Sequence, residues 1–416
     1  MFEIILEIIV SVFVGLIFIE LYLREKIFFV RKNFPWLITK NDEIPKLENK
    51  GLEKFFCHGF DSELGWIRKP LTNHEENGRD GKTHWHIDEN GSRVNDNKFS
   101  TDNVISCYGD SFTFGRQVND NETWEYYLSQ LLKTNIKNFG VGNYGLDQTL
   151  LRLKREFPKN KTNIVLIGVV PDTISRIMSV WKHYYEYGNT FGFKPRFIIL
   201  DNKLKLIHNF IDSKEKFSYY QKFLSEIQKN DFFYEKKFKK EILKFPYLIS
   251  FTRNFSRNYQ IIKWVTLIEK RKSQKKDYLD ILWNPMKIIM KINLEWRIKL
   301  FKNQDVTQLL EKIINEIIDF SNRENFIPIF IWLPQKDDII FIKKKYHYFE
   351  KFNKNIKNFE KLRFIDITKY LLQEKNIDNL FSDNNEYGGH YSKLGNQKIS
   401  QIIFSELNKM KILSDQ

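Results

Sequence analysis

Hydrophobic and polar positions divide the chain into four stretches. Residues Ile4 to Tyr22 are almost wholly apolar, broken only by Glu7 and Glu20 near the two ends. As a helix this run reaches about 28 Å, close to the hydrocarbon thickness of a bilayer. The two glutamates can sit at the interfaces or take up a proton. The pattern predicts a membrane-spanning helix rather than a buried core helix. With no basic residue before the run and no small-x-small site after it, a cleaved signal peptide is disfavoured. Residues 33–100 are polar and predict only short strands and turns, such as Gly65–Pro70 and His84–Gly91.

From residue 101 apolar runs alternate with amphipathic segments. Val104–Tyr108, Asn135–Phe139, Asn163–Val170, Phe326–Trp332 and Arg363–Ile367 read as strands. Helices are predicted over Thr123–Leu132, Leu146–Phe157, residues 173–187, Val306–Asn322 and residues 395–410. Strands separated by helices and short turns predict an α/β fold with a parallel, doubly wound, five-stranded sheet. Between about 190 and 320 the period changes. Phe193–Leu200 and Leu204–Ile207 predict a hairpin through Asp201-Asn202. Lys- and aromatic-rich segments follow, including Tyr219–Ile227, Phe232–Leu243 and Ile261–Ile268. That is too long for a loop and predicts a mainly helical insertion. The expected organisation is an anchor at 1–32, a polar extension at 33–100, half of an α/β domain at 101–200, the insertion at 201–300 and the second half at 301–416.

The net charge of +15 changes this picture little. Lysines are spread through the whole chain, so nucleic acid is not expected as a partner; snorkelling lysines on an amphipathic cap account for the insertion. Two cysteines, Cys57 and Cys107, make no disulfide framework. His84 and His86 share one face of a short strand, but further ligands are missing nearby, so neither a metal nor another cofactor is expected.

Candidate chemistry gathers where the first core strand ends. Gly109 breaks the run, and Asp110-Ser111 follows where a helix should start. A hydroxyl so placed lies at the C-terminal edge of a parallel sheet, where open α/β folds bind ligands. Backbone N–H groups at a helix start also favour developing negative charge. Far along the chain, His390 stands on a glycine-bearing loop just ahead of the last helix, with Ser392 as its cap. A serine nucleophile needs a base of this kind.

With these residues the chain resembles the GDSL, or SGNH, hydrolase family. Gly109-Asp110-Ser111 matches the family's first block and His390 its last. Asn138–Gln148 resembles the second block, and Gly168-Val169-Val170-Pro171-Asp172 occupies the place of the third. The resemblance covers residues from about 100 to 200 and from about 320 to 410. It implies the SGNH, flavodoxin-like three-layer fold. It also implies an acyl-enzyme mechanism in which Ser111 attacks an ester carbonyl and His390 carries the proton. The implied oxyanion hole is the Ser111 N–H with Asn143, which takes the place of the second block's glycine, and the neighbouring Gly142. The third block normally supplies an asparagine donor, whereas Asp172 here cannot donate when ionised; the Asn143 side chain is the expected substitute. The family commonly has an aspartate three residues before the histidine, where this chain has Tyr387. Glu386 is the expected acid, ahead of Asp383. Asp172, Arg176 and Arg196, with Lys182, His183 and Lys194, are candidate contacts to an acidic glycan or phosphate-bearing donor.

The implied activity is a membrane-anchored esterase or deacetylase on carbohydrate esters. An O-acyltransferase modifying a surface polysaccharide and a glycan-binding member without catalysis use the same residues. Arg24, Lys26, Arg31 and Lys32 after the apolar run place the domain on the cytoplasmic side, while anchored relatives acting on envelope glycans face outward, so the side stays open.

Overall fold

The computed structural model describes residues 2–34, 36–97, 99–100, 105–274, 279–383 and 389–412. Two compact units emerge, one from residues 49–180, 192–220 and 293–416, the other from 1–48, 181–191 and 221–292.

The larger unit is built on five parallel strands, β1 (Ile105–Gly109), β2 (Ile136–Asn138), β3 (Ile164–Val169), β4 (Ile327–Trp332) and β5 (Arg363–Asp366). Their order is β5-β4-β3-β1-β2. This is the flavodoxin-like order, in which the direction of strand addition across the sheet reverses between β1 and β3. β3 reads Ile-Val-Leu-Ile-Gly-Val and is buried at every position, because helices cover both faces of the sheet. One face carries Trp124–Leu132 against Lys393–Lys409, the other Leu146–Glu156 against Gln304–Glu324. On the first face Trp124, Leu128, Ile399, Ile403 and Leu407 close over Ile105, Cys107, Leu166 and Ile331. The helix Gln304–Glu324 buries Val306, Leu310, Ile313, Ile314 and Ile317, the i, i+3, i+4 spacing of an inward stripe. Asn303 caps its start through the Val306 N–H, and Asn325 ends it at φ 61°.

Local chemistry explains where the elements stop. Ser392 caps the last helix by accepting from the Gly395 N–H. The hairpin Arg196–Leu200/Lys203–Ile207 turns through Asp201 and Asn202, both at positive φ as a two-residue turn requires. The helix expected over 173–187 is instead two single turns, Thr173–Arg176 and Lys182–Tyr185. Trp181 between them is extended, and its N–H goes to the Asp231 carboxylate rather than back into a helix. Val104 lies outside the described residues.

The smaller unit holds the N-terminal helix Phe2–Asn33. Its stretch Phe2–Lys32 is long and apolar enough to cross a membrane. The large apolar side chains from Phe2 to Tyr22 are exposed, whereas Ile27 and Val30 pack with Phe34, Leu37, Leu243, Phe251, Ile261 and Val265. Glu20 is not idle in this helix: its carboxylate accepts the backbone N–H groups of Tyr247 and Leu248.

Candidate active site

β1 delivers Ser111 through a turn that only small residues permit. A Cβ on Gly109 would lie 1.9 Å from the Gly168 carbonyl oxygen, and one on Gly168 would lie 2.4 Å from Thr113 Oγ1. The absence of both side chains lets the one-turn helix Ser111–Phe114 press onto β3, where the Thr113 hydroxyl donates to the Gly168 carbonyl at 2.7 Å. Asp110 is fully buried and fixes the turn. Its Oδ1 accepts the Phe112 N–H at 2.9 Å, and Oδ2 accepts the Val170 N–H at 2.8 Å and faces Arg176 Nη1 at 3.3 Å. Burial raises the Asp110 pKa, opposed by Arg176 and the two N–H groups.

The segment after β2 comes alongside. Phe139 and Val141 continue the pairing to the Cys107 and Gly109 carbonyls, and the Asn138 amide clamps the Thr113 carbonyl at 2.7 Å. Gly140 passes so near the serine helix that a Cβ would meet Phe114 N at 2.3 Å. The chain then turns at Val141–Tyr144, with Asn143 at φ 68°. Trp66 Nε1 holds the Gly142 carbonyl at 2.9 Å. A Cβ built on Gly142 would stand 4.0 Å from Ser111 Cβ. The backbone N–H groups of Ser111 and Gly142, and the Asn143 side chain, have no hydrogen-bond partner among the described residues.

His390 comes in from the far end of the chain. Its ring packs 4.8 Å from that of Phe112, the residue next to Ser111. Tyr391 steadies the loop, with its ring 4.9 Å from Phe112 and its hydroxyl on the Pro334 carbonyl at 2.9 Å. Gly389, at φ 74°, allows Asp383 to lie against it, where a Cβ would come within 2.8 Å. No hydrogen bond joins Ser111 Oγ to the imidazole among the described residues.

Behind the imidazole stands an amide. Gln117 Oε1 lies 2.9 Å from His390 Nδ1, accepts the His390 backbone N–H at 3.0 Å and accepts the Ser382 hydroxyl at 2.7 Å. The backbone N–H can only donate, so the amide must present oxygen rather than nitrogen. Nδ1 therefore carries the proton, and Nε2 is left as the acceptor. Gln117 is held in a left-handed conformation, φ 65°, by its own N–H on Glu76 Oε1 at 2.7 Å and its Nε2 on the Asn77 carbonyl at 3.3 Å. Burial, then the charges of Arg116 and Arg176, keep the His390 pKa well below the ordinary histidine value, so the ring is neutral.

The other candidates have separate surroundings. Glu386 lies outside the described residues. Asp172 Oδ2 accepts Arg176 Nε at 3.1 Å, and Arg176 Nη1 also reaches the Tyr144 carbonyl at 3.1 Å. Lys194 is buried on Asp147 Oδ2 at 2.5 Å, and Arg196 on the Met178 carbonyl at 2.9 Å. Within the smaller unit Lys182 pairs with Glu186 at 2.8 Å, and His183 Nε2 lies 3.1 Å from the Asp42 carbonyl. His86 Nδ1 is spent on Asp120 Oδ2 at 2.7 Å. No group of three or more His, Cys, Asp or Glu suited to a metal occurs among the described residues.

Sequence reasoning passed over Gln117, Glu76 and Ser382. Gln117 sits five residues past Phe112, but its partner is 273 positions away and no local pattern joins them.

No family model matches the chain, and no curated protein matches it. Among solved structures it is similar to a protein from Desulfitobacterium hafniense DCB-2 described as lipolytic, of the G-D-S-L family, at 12% identity over 74% of this chain and 100% of that one, TM-score 0.35. A lipase/acylhydrolase from Enterococcus faecalis is similar at 13% identity over 74% and 96%, TM-score 0.34. The acetyl xylan esterase Est2A from Butyrivibrio proteoclasticus is similar at 9% identity over 78% and 67%, TM-score 0.31. The fold is defined by the strand order itself: an open, doubly wound α/β unit with a serine-bearing turn at its topological switch.

Proposed function

We propose that the chain is a membrane-tethered serine esterase that removes an acyl group from a carbohydrate ester. The observation that carries this reading is one juxtaposition. Ser111 opens a helix at the C-terminal edge of β1, and Phe112 beside it packs on an imidazole whose Nδ1 proton is already committed.

Ser111 Oγ attacks the ester carbonyl, and His390 Nε2 takes its proton and returns it to the leaving alcohol; water then reverses the sequence. The unpartnered N–H groups of Ser111 and Gly142 receive the oxyanion, and Asn143, half-buried at the turn, supplies a side-chain donor in place of the third block's asparagine. Asp172 anchors Arg176, which in turn braces Asp110 under the nucleophile. The imidazole and Ser111 Oγ close to hydrogen-bond distance on binding substrate, as catalytic contacts commonly do. The order of the motif residues along the chain supports ester chemistry at Ser111.

The tether reading rests on the N-terminal helix. Its last third is part of the smaller unit's core through Ile27 and Val30, and Glu20 inside the apolar run accepts the Tyr247 and Leu248 N–H groups, so cleavage after the run would remove that contact. Retention in the membrane pellet after alkaline carbonate washing is the expected behaviour; release of full-length protein would contradict it.

The activity is tested by acetate release from an acetylated oligosaccharide. Wild type releases acetate and Ser111→Ala does not; equal release by both sinks the esterase reading. Adding a sugar acceptor separates hydrolysis from transfer, because transfer yields acylated acceptor instead of free acetate.

A further inference from the structure

Besides Arg176, the arginines Arg93, Arg116 and Arg68 lie near the serine turn, and the first two are neutralised. Arg93 is buried on Asp120 at 2.8 Å and on the carbonyls of Phe114 and Val118. Arg116 is paired with Glu76 at 2.6 Å. Arg68 differs from both. Its guanidinium lies over the rings of Trp85, at 4.7 Å, and Phe114, at 5.5 Å, and has no hydrogen bond or ion pair among the described residues. Asp120 and Glu76 are already engaged, so the cluster carries one uncompensated positive charge.

That charge is aimed at the site. The Cβ built on Gly142 that would lie 4.0 Å from Ser111 Cβ would also lie 3.9 Å from Arg68 Nη2. A half-buried cation that rests on aromatic faces without a counter-ion is incompletely compensated in the empty protein. Its planar fork is suited to two parallel hydrogen bonds with an anion. Burial, then Arg116, lowers the Arg68 pKa to about 10, which leaves it charged at neutral pH.

Building on the esterase reading, we infer that Arg68 is a specificity residue that binds an anionic group, a carboxylate or phosphate, borne by the substrate beside the ester cleaved at Ser111. The substrate class is thus an O-acylated acidic carbohydrate, with the anion on the Arg68 side of the Gly142 turn.

The test compares an O-acetylated galacturonic acid, its neutral methyl ester and an O-acetylated sugar phosphate. Wild type should favour the charged substrates over the methyl ester by about 10²-fold in kcat/KM, the effect of one charge-assisted contact. Arg68→Met should reduce that ratio to near one, and Arg68→Lys should leave an intermediate ratio. Whichever charged substrate loses more in Arg68→Met identifies the anion as carboxylate or phosphate. An unchanged ratio in Arg68→Met overturns the inference. Calorimetric binding of the same compounds to Ser111→Ala, with and without Arg68→Met, keeps the two readings apart. Arg68-dependent binding without turnover by the wild type supports the anion site and sinks the esterase. Turnover that depends on Ser111, with Arg68-independent binding, does the reverse.

Discussion

Arg176 and Arg68 are two guanidiniums in the same unit, the first buried and the second half-buried, and their surroundings are opposite. Arg176 touches Asp172, Asp110 and the Tyr144 carbonyl. Arg68 has aromatic faces and no ion pair among the described residues, and the carboxylate that acts on it, Glu76, is spent on Arg116 and the Gln117 N–H. A buried cation whose donors are all met belongs to the framework, and here it holds the Asp110 turn. One without a counter-charge is less well compensated in the empty protein, which makes sense if a ligand completes it. Lys194 and Arg196 fall with Arg176: their donors already end on Asp147 and on the Met178 carbonyl.

The contrast can be broken most forcefully at the framework end. Arg176→Met should destabilise the fold by about 3–5 kcal/mol, because two buried carboxylates lose their counter-charge. Denaturant unfolding measures it, and a loss below about 1 kcal/mol would place Arg176 with Arg68 instead.

Gln117→Ala should lower kcat by about 10²-fold by freeing the imidazole to rotate, while unfolding shows the fold intact. The pH profile sharpens this further. The imidazole must be neutral to accept a proton, so activity is lost as pH falls through its pKa. That pKa is held below the ordinary 6.5, so the acid limb should lie below pH 6.5. Gln117→Glu adds a carboxylate at Nδ1, favours the protonated ring and should move the limb up by about one unit. A limb that does not move would mean that Gln117 does not hold the catalytic ring.

The smallest effect belongs to Arg68. Arg68→Met should change the unfolding free energy by less than about 1 kcal/mol, since lost ring contacts are offset by removing an uncompensated charge. A loss as large as that of Arg176→Met would make Arg68 a framework residue.

What was readable from sequence follows the range of the interactions. The five strands, the Ser111 turn, the Asp201-Asn202 hairpin and the Ser392 cap are fixed by residues within a few positions of one another. The smaller unit was not readable as such. It gathers 1–48, 181–191 and 221–292, and the pattern gave no sign that Ile27 and Val30 would share a core with Ile261 and Val265. Arg68 was read only as part of a polar turn, since its lack of a partner is a property of the folded surroundings. Gln117 was invisible for the same reason. An acid was sought beside His390 in the chain, and the group on Nδ1 came from the residues just after Ser111.

The claim on which the rest depends is that Ser111 is a nucleophile activated by His390. Labelling with a fluorophosphonate, mapped by mass spectrometry on the full chain, tests it most directly. The account predicts a single adduct on Ser111, absent from Ser111→Ala and much slowed in His390→Ala. A wild-type protein that takes no label, or takes it at the same rate without His390, would contradict it.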